Sequence, residues 1–212
     1  MPSSRQGYDG RTVTHTEQVE RRSGRPRSED ADRAIISATL DLLGEVGVTP
    51  LSIEGVAARA GVGKATVYRR WPNKDALIVN AMATLKGPLP RPAGRSLRED
   101  MMTMLDSLMA GYQAARQRRI YACFMGEVGR HPELARRYLN TVIEPRREVM
   151  RGVLRAAVAR GELRDDLDLE LMLHVITAPV LHWTMSDPER PLDKSLAHRF
   201  LDATLEGLAP RR

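Results

Sequence analysis

Three residues, Gly61-Val62-Gly63, break two short helical patterns, and this constrains the chain more than anything else in it. Upstream, Ser52 is a good N-cap, and Ile53, Val56 and Ala57 recur at helical spacing up to about Ala60. Downstream, a second short helix is expected over about Lys64 to Trp71, where Pro72 stops it. Asn73 then caps a further helix reaching about Leu85. Arg59, Lys64, Arg69, Arg70 and Lys74 fall in this stretch with no acid between them. Alone, such a run is ordinarily a solvated basic face. On two short helices joined by a glycine turn it describes a helix-turn-helix, whose second helix enters the DNA major groove.

The remaining segments also read as helices. Ala, Leu, Arg, Glu and Met dominate, while aromatics make up 4%, which disfavours an all-β fold. A first helix is expected from Ser28, with Glu29 and Asp30 at its positive end and Ile35, Ala38, Leu42 and Val46 on one face, ending at Gly47. Residues 1–28, rich in Ser, Gly, Thr and Arg, read as a disordered basic tail or, alternatively, as a minor-groove arm. Lys86 to Arg95, with three Pro and two Gly, marks a boundary. Ser96-Leu97-Arg98-Glu99 is a capping box opening a helix of about 22 residues. A helical stretch over Ile120–Gly129, a long helix from His131-Pro132 to near Gly161, and helices over Leu169–Ser186 and Lys194–Leu208 follow, the last two separated by a loop at 187–191. The fold class expected is all-α: an N-terminal three-helix helix-turn-helix domain over 29–86 and a C-terminal helical effector and dimerisation domain over 96–212.

The segment from Ser52 to Leu77, with its Ala-Gly-Val turn, Thr66-Val67-Tyr68, aromatic Trp71 and Asn73-Lys74-Asp75-Ala76-Leu77, closely resembles the DNA-binding motif of the TetR/AcrR family of bacterial transcription regulators. The resemblance covers about residues 30–85. Beyond Leu85 it extends only to the number and length of helices. It implies a homodimer that binds a palindromic double-stranded DNA operator and answers a small-molecule effector.

Chemistry assigns roles within the motif. Lys64 can donate to guanine O6 or N7, and Ala65 or the Thr66 methyl can touch a thymine methyl. Arg69 is the favoured second base reader, because a guanidinium matches guanine bidentately. Tyr68, Arg70 and Lys74 resemble the family's phosphate contacts. Ser52 caps its helix and can leave the helix N–H groups facing a phosphate. Thr66 serves equally as a support for its helix, and Trp71 reads as a core plug rather than a base stacker.

In the C-terminal part, Leu171 to Met185 carries no formal charge, so this helix must be buried nearly all round. A partner copy covering one side explains this, with Leu171, His174, Leu181, Trp183, Phe200, Leu201 and Leu205 as interface candidates. A central core helix in a monomer is the alternative. An effector pocket is sought around Met102, Leu105, Met109, Tyr121, Phe124 and Met125, since Met adapts to varied ligands, although a Met stripe is more often core.

Other functions find little support. The chain has one cysteine, Cys123, which excludes an internal disulfide and a multi-cysteine zinc site, and which reads as a small core hydrophobe. No apolar run approaches the ~20 residues of a membrane span, and residues 1–28 lack the apolar core of a signal peptide. A cytoplasmic location is expected. His174 and His182 share a helix face loosely, with His198 later, but no metal site, cofactor or catalytic constellation is expected, and the chain does not read as an enzyme. The function expected is a repressor released from its operator by the effector. The alternatives are an activator or co-repressor-dependent regulator of the same fold. An enzyme built on the C-terminal part or a nonspecific DNA-compacting protein is the remaining option. The net charge of +6 permits a polyanion partner without requiring one.

Overall fold

The computed structural model describes residues 25–110, 114–186 and 193–209, and among them every regular element is a helix. The elements are α1 (Arg25–Val46), α2 (Ile53–Ala60), α3 (Lys64–Tyr68), α4 (Lys74–Lys86), α5 (Leu97–Ala110), α6 (Ala115–Val128), α7 (Pro132–Tyr138), α8 (Glu144–Ala159), α9 (Leu169–Ser186) and α10 (Lys194–Leu208). The expected tail is corrected at its end. α1 begins at Arg25 rather than after a Ser28 cap, since Pro26 in the first turn gives up an N–H that a helix start leaves unpaired anyway. The rest of the tail and the 187–191 loop lie outside the described residues.

Local signals set the ends of the first helices. Gly47, at φ 79°, closes α1, its N–H donating to the Leu43 carbonyl at 3.2 Å. The Ser52 hydroxyl accepts from the Gly55 N–H at 3.1 Å and opens α2. Gly61, at φ 67°, ends it. α3 is shorter than expected. Arg69, Arg70 and Trp71 still donate their N–H groups back to Ala65 and Val67, but Pro72 cannot continue the ladder. Asn73 caps α4 by accepting from the Ala76 N–H at 2.9 Å.

Two hydrophobic clusters organise the chain. In the first, α1 to α4 bury Ile35, Leu43, Val67, Leu77, Ile78 and Met82 completely. Each such side chain contributes roughly 1.5–3 kcal/mol by leaving water. This cluster continues into Ile120, Phe124, Leu134 and Tyr138 of α6 and α7. The second cluster joins α5, α8, α9 and α10 around Leu154, Met172, Leu173 and Ala197. Thus α6 and α7 pack on the N-terminal helices.

Two lengths differ from expectation. α5 covers 14 residues rather than about 22, and α6 is a separate helix starting after Ala114. The long helix expected from Pro132 is interrupted by a π-helical turn at Leu139–Ile143. Pro145 follows directly. It has no N–H for the carbonyl four residues back and its ring would strike it, so the wider turn accommodates the proline without ending the helix.

The turn after α1 packs closely against α6 within the first cluster. A Cβ on Gly47 would lie 1.9 Å from Oε1 of Glu127, on α6. A Cβ on Gly61 would meet nothing within 4 Å. Gly61→Ala should therefore cost only backbone strain, roughly 1–2 kcal/mol. Gly47→Ala should cost more, because Glu127 must also swing away from the turn. Urea midpoints at unchanged slope would measure the difference, and equal losses would contradict this role of Glu127.

Candidate functional site

α3 stands on a buried base. Val67 is fully buried and Trp71 nearly so, its indole N–H donating to the Asn80 Oδ1 at 3.2 Å. With that side turned inward, Lys64, Ala65, Tyr68 and Arg69 face solvent, and Thr66 is half-buried. Tyr68 is 49% exposed. The Lys64 ammonium lies 2.8 Å from Glu54 on α2, and this hydrogen bond holds the Glu54 carboxyl below its ordinary range.

The other three basic groups of the motif bond within the fold, Arg59 to Glu45 on α1 at 2.7 Å. Arg70 pairs with Asp32 on α1 and donates from Nη1 to the Thr66 carbonyl at 3.1 Å, which ties down the end of α3. Lys74 donates from Nζ to the carbonyls of Val48 and Thr49 at 3.0 and 3.3 Å. Opposite it, Glu127 accepts from the N–H groups of the same two residues at 3.1 and 3.2 Å. Side chains from α4 and α6 thus satisfy all four backbone groups of one turn.

A cavity of about 230 Å³ lies between the two clusters. Met101, Met104, Leu105, Leu173, Ile176 and Val180 supply its apolar wall. Lys86, Tyr121, Arg146 and Arg147 also line it. The Lys86 ammonium sits 4.5 Å from the centre of the Tyr121 ring. Burial pushes this lysine down to about 7, and the charge on Arg146 adds to the effect. Leu171, His174, Val175, Ala178, Leu181 and His182 of α9 form an exposed stripe at helical spacing, with Leu181 also reaching the cavity.

A family model for the bacterial regulatory proteins of the tetR family matches residues 35–81, and one for the tetracyclin repressor-like C-terminal domain matches residues 91–204. The uncharacterised HTH-type transcriptional regulator YdeS of Bacillus subtilis is 33% identical over 165 residues, which are 77% of this chain and 83% of that protein. The chain belongs to the TetR family of transcriptional regulators. The DNA-binding transcriptional repressor TetR of Mycobacteroides abscessus is 28% identical, over 84% of this chain and 94% of its own. The crystal structure of a further TetR-family regulator superposes with a TM-score of 0.60 at 25% identity, covering 85% of this chain and all of the other. This regulator is therefore a DNA-binding protein of transcription rather than an enzyme.

Among the described residues of the regulator, no helix is long and apolar enough to cross a membrane, and no three His, Cys, Asp or Glu side chains group to hold a metal. The three candidate histidines go to separate partners: His174 to the Glu170 carbonyl, His182 to Ser186 and His198 to Asp106. Cys123 is half-buried against the Gly44 carbonyl of α1. The expected effector residues divide. Leu105 and Tyr121 line the cavity. Phe124 and Met125 instead pack into the N-terminal cluster, because α6 leans on α1, and Met102 and Met109 pack into the C-terminal one. The interface candidates divide too. Leu171, His174 and Leu181 are exposed. Leu201 is buried inside its own chain and Leu205 packs against the same cluster. Phe200 lines the cavity and holds Trp183 at 6.1 Å between ring centres. Helical period gave each face but not which neighbour it meets. Lys86, Arg146 and Arg147 escaped the sequence reading altogether, since no local motif joins three cations from α4 and α8.

Two consequences follow for these side chains. Arg70→Ala should lower stability by roughly 1–3 kcal/mol, the range for losing hydrogen bonds to a charged group. Arg69→Ala should leave the unfolding midpoint within about 0.5 kcal/mol of the parent; a large drop would place Arg69 in the fold. For Lys86 the folded pKa lies below the unfolded one, so the unfolded chain holds the extra proton between about 7 and 10.5. Stability should accordingly rise with pH across that window, by at most ~1.4 kcal/mol per pH unit. Lys86→Met should remove that rise in parallel denaturation curves, and identical curves would contradict it.

Proposed function

We propose that this regulator is a repressor which binds a palindromic operator as a homodimer and is released by a small molecule in the α5–α10 cavity. Residues 29–86 carry the DNA contacts, and residues 96–212 carry the dimer surface and most of the pocket, to which Lys86 and Pro90 add. The observation that carries the reading is the division of labour on the basic motif. Arg70 ties the end of α3 to α1 and Lys74 pins the turn before α2, while Lys64, Ala65, Tyr68 and Arg69 remain presented to solvent on a short helix. Pre-set geometry is what base reading requires, since bidentate contacts tolerate little misplacement. Lys64 and Arg69 supply the base-edge donors, with Ala65 and Thr66 against thymine methyls. Tyr68 supplies a phosphate contact. Ser52, whose hydroxyl is spent on its own cap, leaves the start of α2 for a phosphate. Arg70 and Lys74 add charge beside the backbone rather than dedicated contacts.

The second copy belongs on the stripe of α9. Leu171, Val175 and Leu181 are each 40–50% exposed there, on a helix whose only formal charge is Glu170. A two-fold axis would lay the same stripe against itself, which covers the apolar area without needing a complementary surface. Release by an effector requires that it bind the DNA-incompetent arrangement more tightly than the competent one.

Titration of labelled DNA from upstream of the coding region, with excess random DNA, tests the regulator. Preference of ~10³-fold or more for one site is expected. Loss of all binding to the competitor would favour nonspecific compaction. On that site Arg69→Ala should cost roughly 1–3 kcal/mol and relax one base position. An equal loss on random DNA would remove Arg69 from base reading. Val175→Asp should reduce the sedimentation mass from twice 23.7 kDa to 23.7 kDa, and a mass unchanged at the dimer value would move the interface elsewhere.

A further inference from the structure

The cavity is electrically one-sided. Three of its lining residues are cationic, Lys86, Arg146 and Arg147, and none is acidic. Each comes from the end of a helix that faces the boundary between the clusters: Lys86 is the last residue of α4, and the two arginines lie in the first turn of α8. Arg146 is fixed there, with Nη1 on the Val142 carbonyl at 2.9 Å and Nη2 on the Gly87 carbonyl. Arg147 approaches Glu144 only at 3.9 Å, and that carboxylate is engaged by Arg151 at 2.6 Å. Beyond the cations the wall is mostly apolar, with methionine, leucine, isoleucine and valine from α5 and α9 and Phe200 from α10, and its hydroxyl groups come from Ser107, Tyr121 and Thr177.

From this juxtaposition we propose that the cavity takes an amphipathic carboxylate, its apolar tail between α5 and α9 and its head group at Lys86, Arg146 and Arg147. The assignment rests on the reading of this cavity as the effector site. An anion is the complement the wall lacks, because like charges crowded in a poorly hydrated space cost energy that a counter-charge removes. The depressed lysine agrees with this: its charged form is disfavoured by burial and by Arg146, the two terms an anion would offset. The volume, about 230 Å³, lies just under the ~300–1,000 Å³ of sites for drug-sized ligands. A medium-length tail suits it better than a long one.

Calorimetric titration of the full chain with decanoate, decanol and decylammonium separates head from tail. Decanoate should bind roughly tenfold or more tighter than decanol, as expected when a charge-assisted hydrogen bond is added, and decylammonium weakest. In Lys86→Met and in Arg147→Gln the decanoate-to-decanol ratio should fall toward one. Reading the ratio keeps a change of cavity shape, which shifts both ligands, apart from loss of the head site. Equal binding of decanoate and decanol, a preference for decylammonium, or a ratio unmoved by both substitutions would overturn the carboxylate while leaving the cavity a ligand site. Absence of binding by all three compounds at millimolar concentration would overturn the effector reading itself.

Discussion

The short turn between α1 and α2 is where the fold's two halves meet. Val48 and Thr49 there expose two N–H groups and two carbonyls that no helix satisfies. Glu127 of α6 accepts from both N–H groups, and the Lys74 ammonium of α4 donates to both carbonyls. Leaving such groups unpaired would cost about 1–3 kcal/mol each where they are buried. Gly47 makes the approach possible, since any side chain there would occupy the place of the Glu127 carboxylate. The position of α2, and through it α3, is therefore set partly by a residue far along the chain.

The same two helices reach the cavity. α4 ends in Lys86 and α6 carries Tyr121, and these two side chains stack at the cavity wall. At their other ends the helices hold the turn before α2. A ligand that moved either helix at the cavity would strain contacts on which the presentation of α3 rests. Such coupling would run through contiguous side chains with shared partners.

Much of what depended on a few neighbouring residues was legible in the sequence, although the start of α1 at Arg25 and the wide turn before Pro145 were not. Ser52, Asn73 and Ser96 each cap a helix through a bond to the residue three positions on, and α9 and α10 follow from apolar period with caps at Asp168 and Asp193. The motif's basic residues were legible as charges but not as roles. Arg70 and Lys74 are spent on Asp32 and on the Val48–Thr49 turn, partners that only the packing of α1 brings near. Likewise Phe124 reads as a pocket aromatic from its Met-rich surroundings, yet α6 turns it into the N-terminal cluster. The cavity's cations were illegible for the same reason: α4 and α8 meet there through tertiary contact, without a local pattern.

In the proposed function, α3 presents Lys64, Ala65, Tyr68 and Arg69 to the major groove. Guanine N7 lies only in that groove, so its protection from methylation on a bound operator reads the claim directly. Two protected clusters about one helical turn apart, roughly 34–36 Å centre to centre, are predicted for a two-fold pair of such helices. Unprotected guanines, with protection confined to adenine N3 in the minor groove, would contradict it.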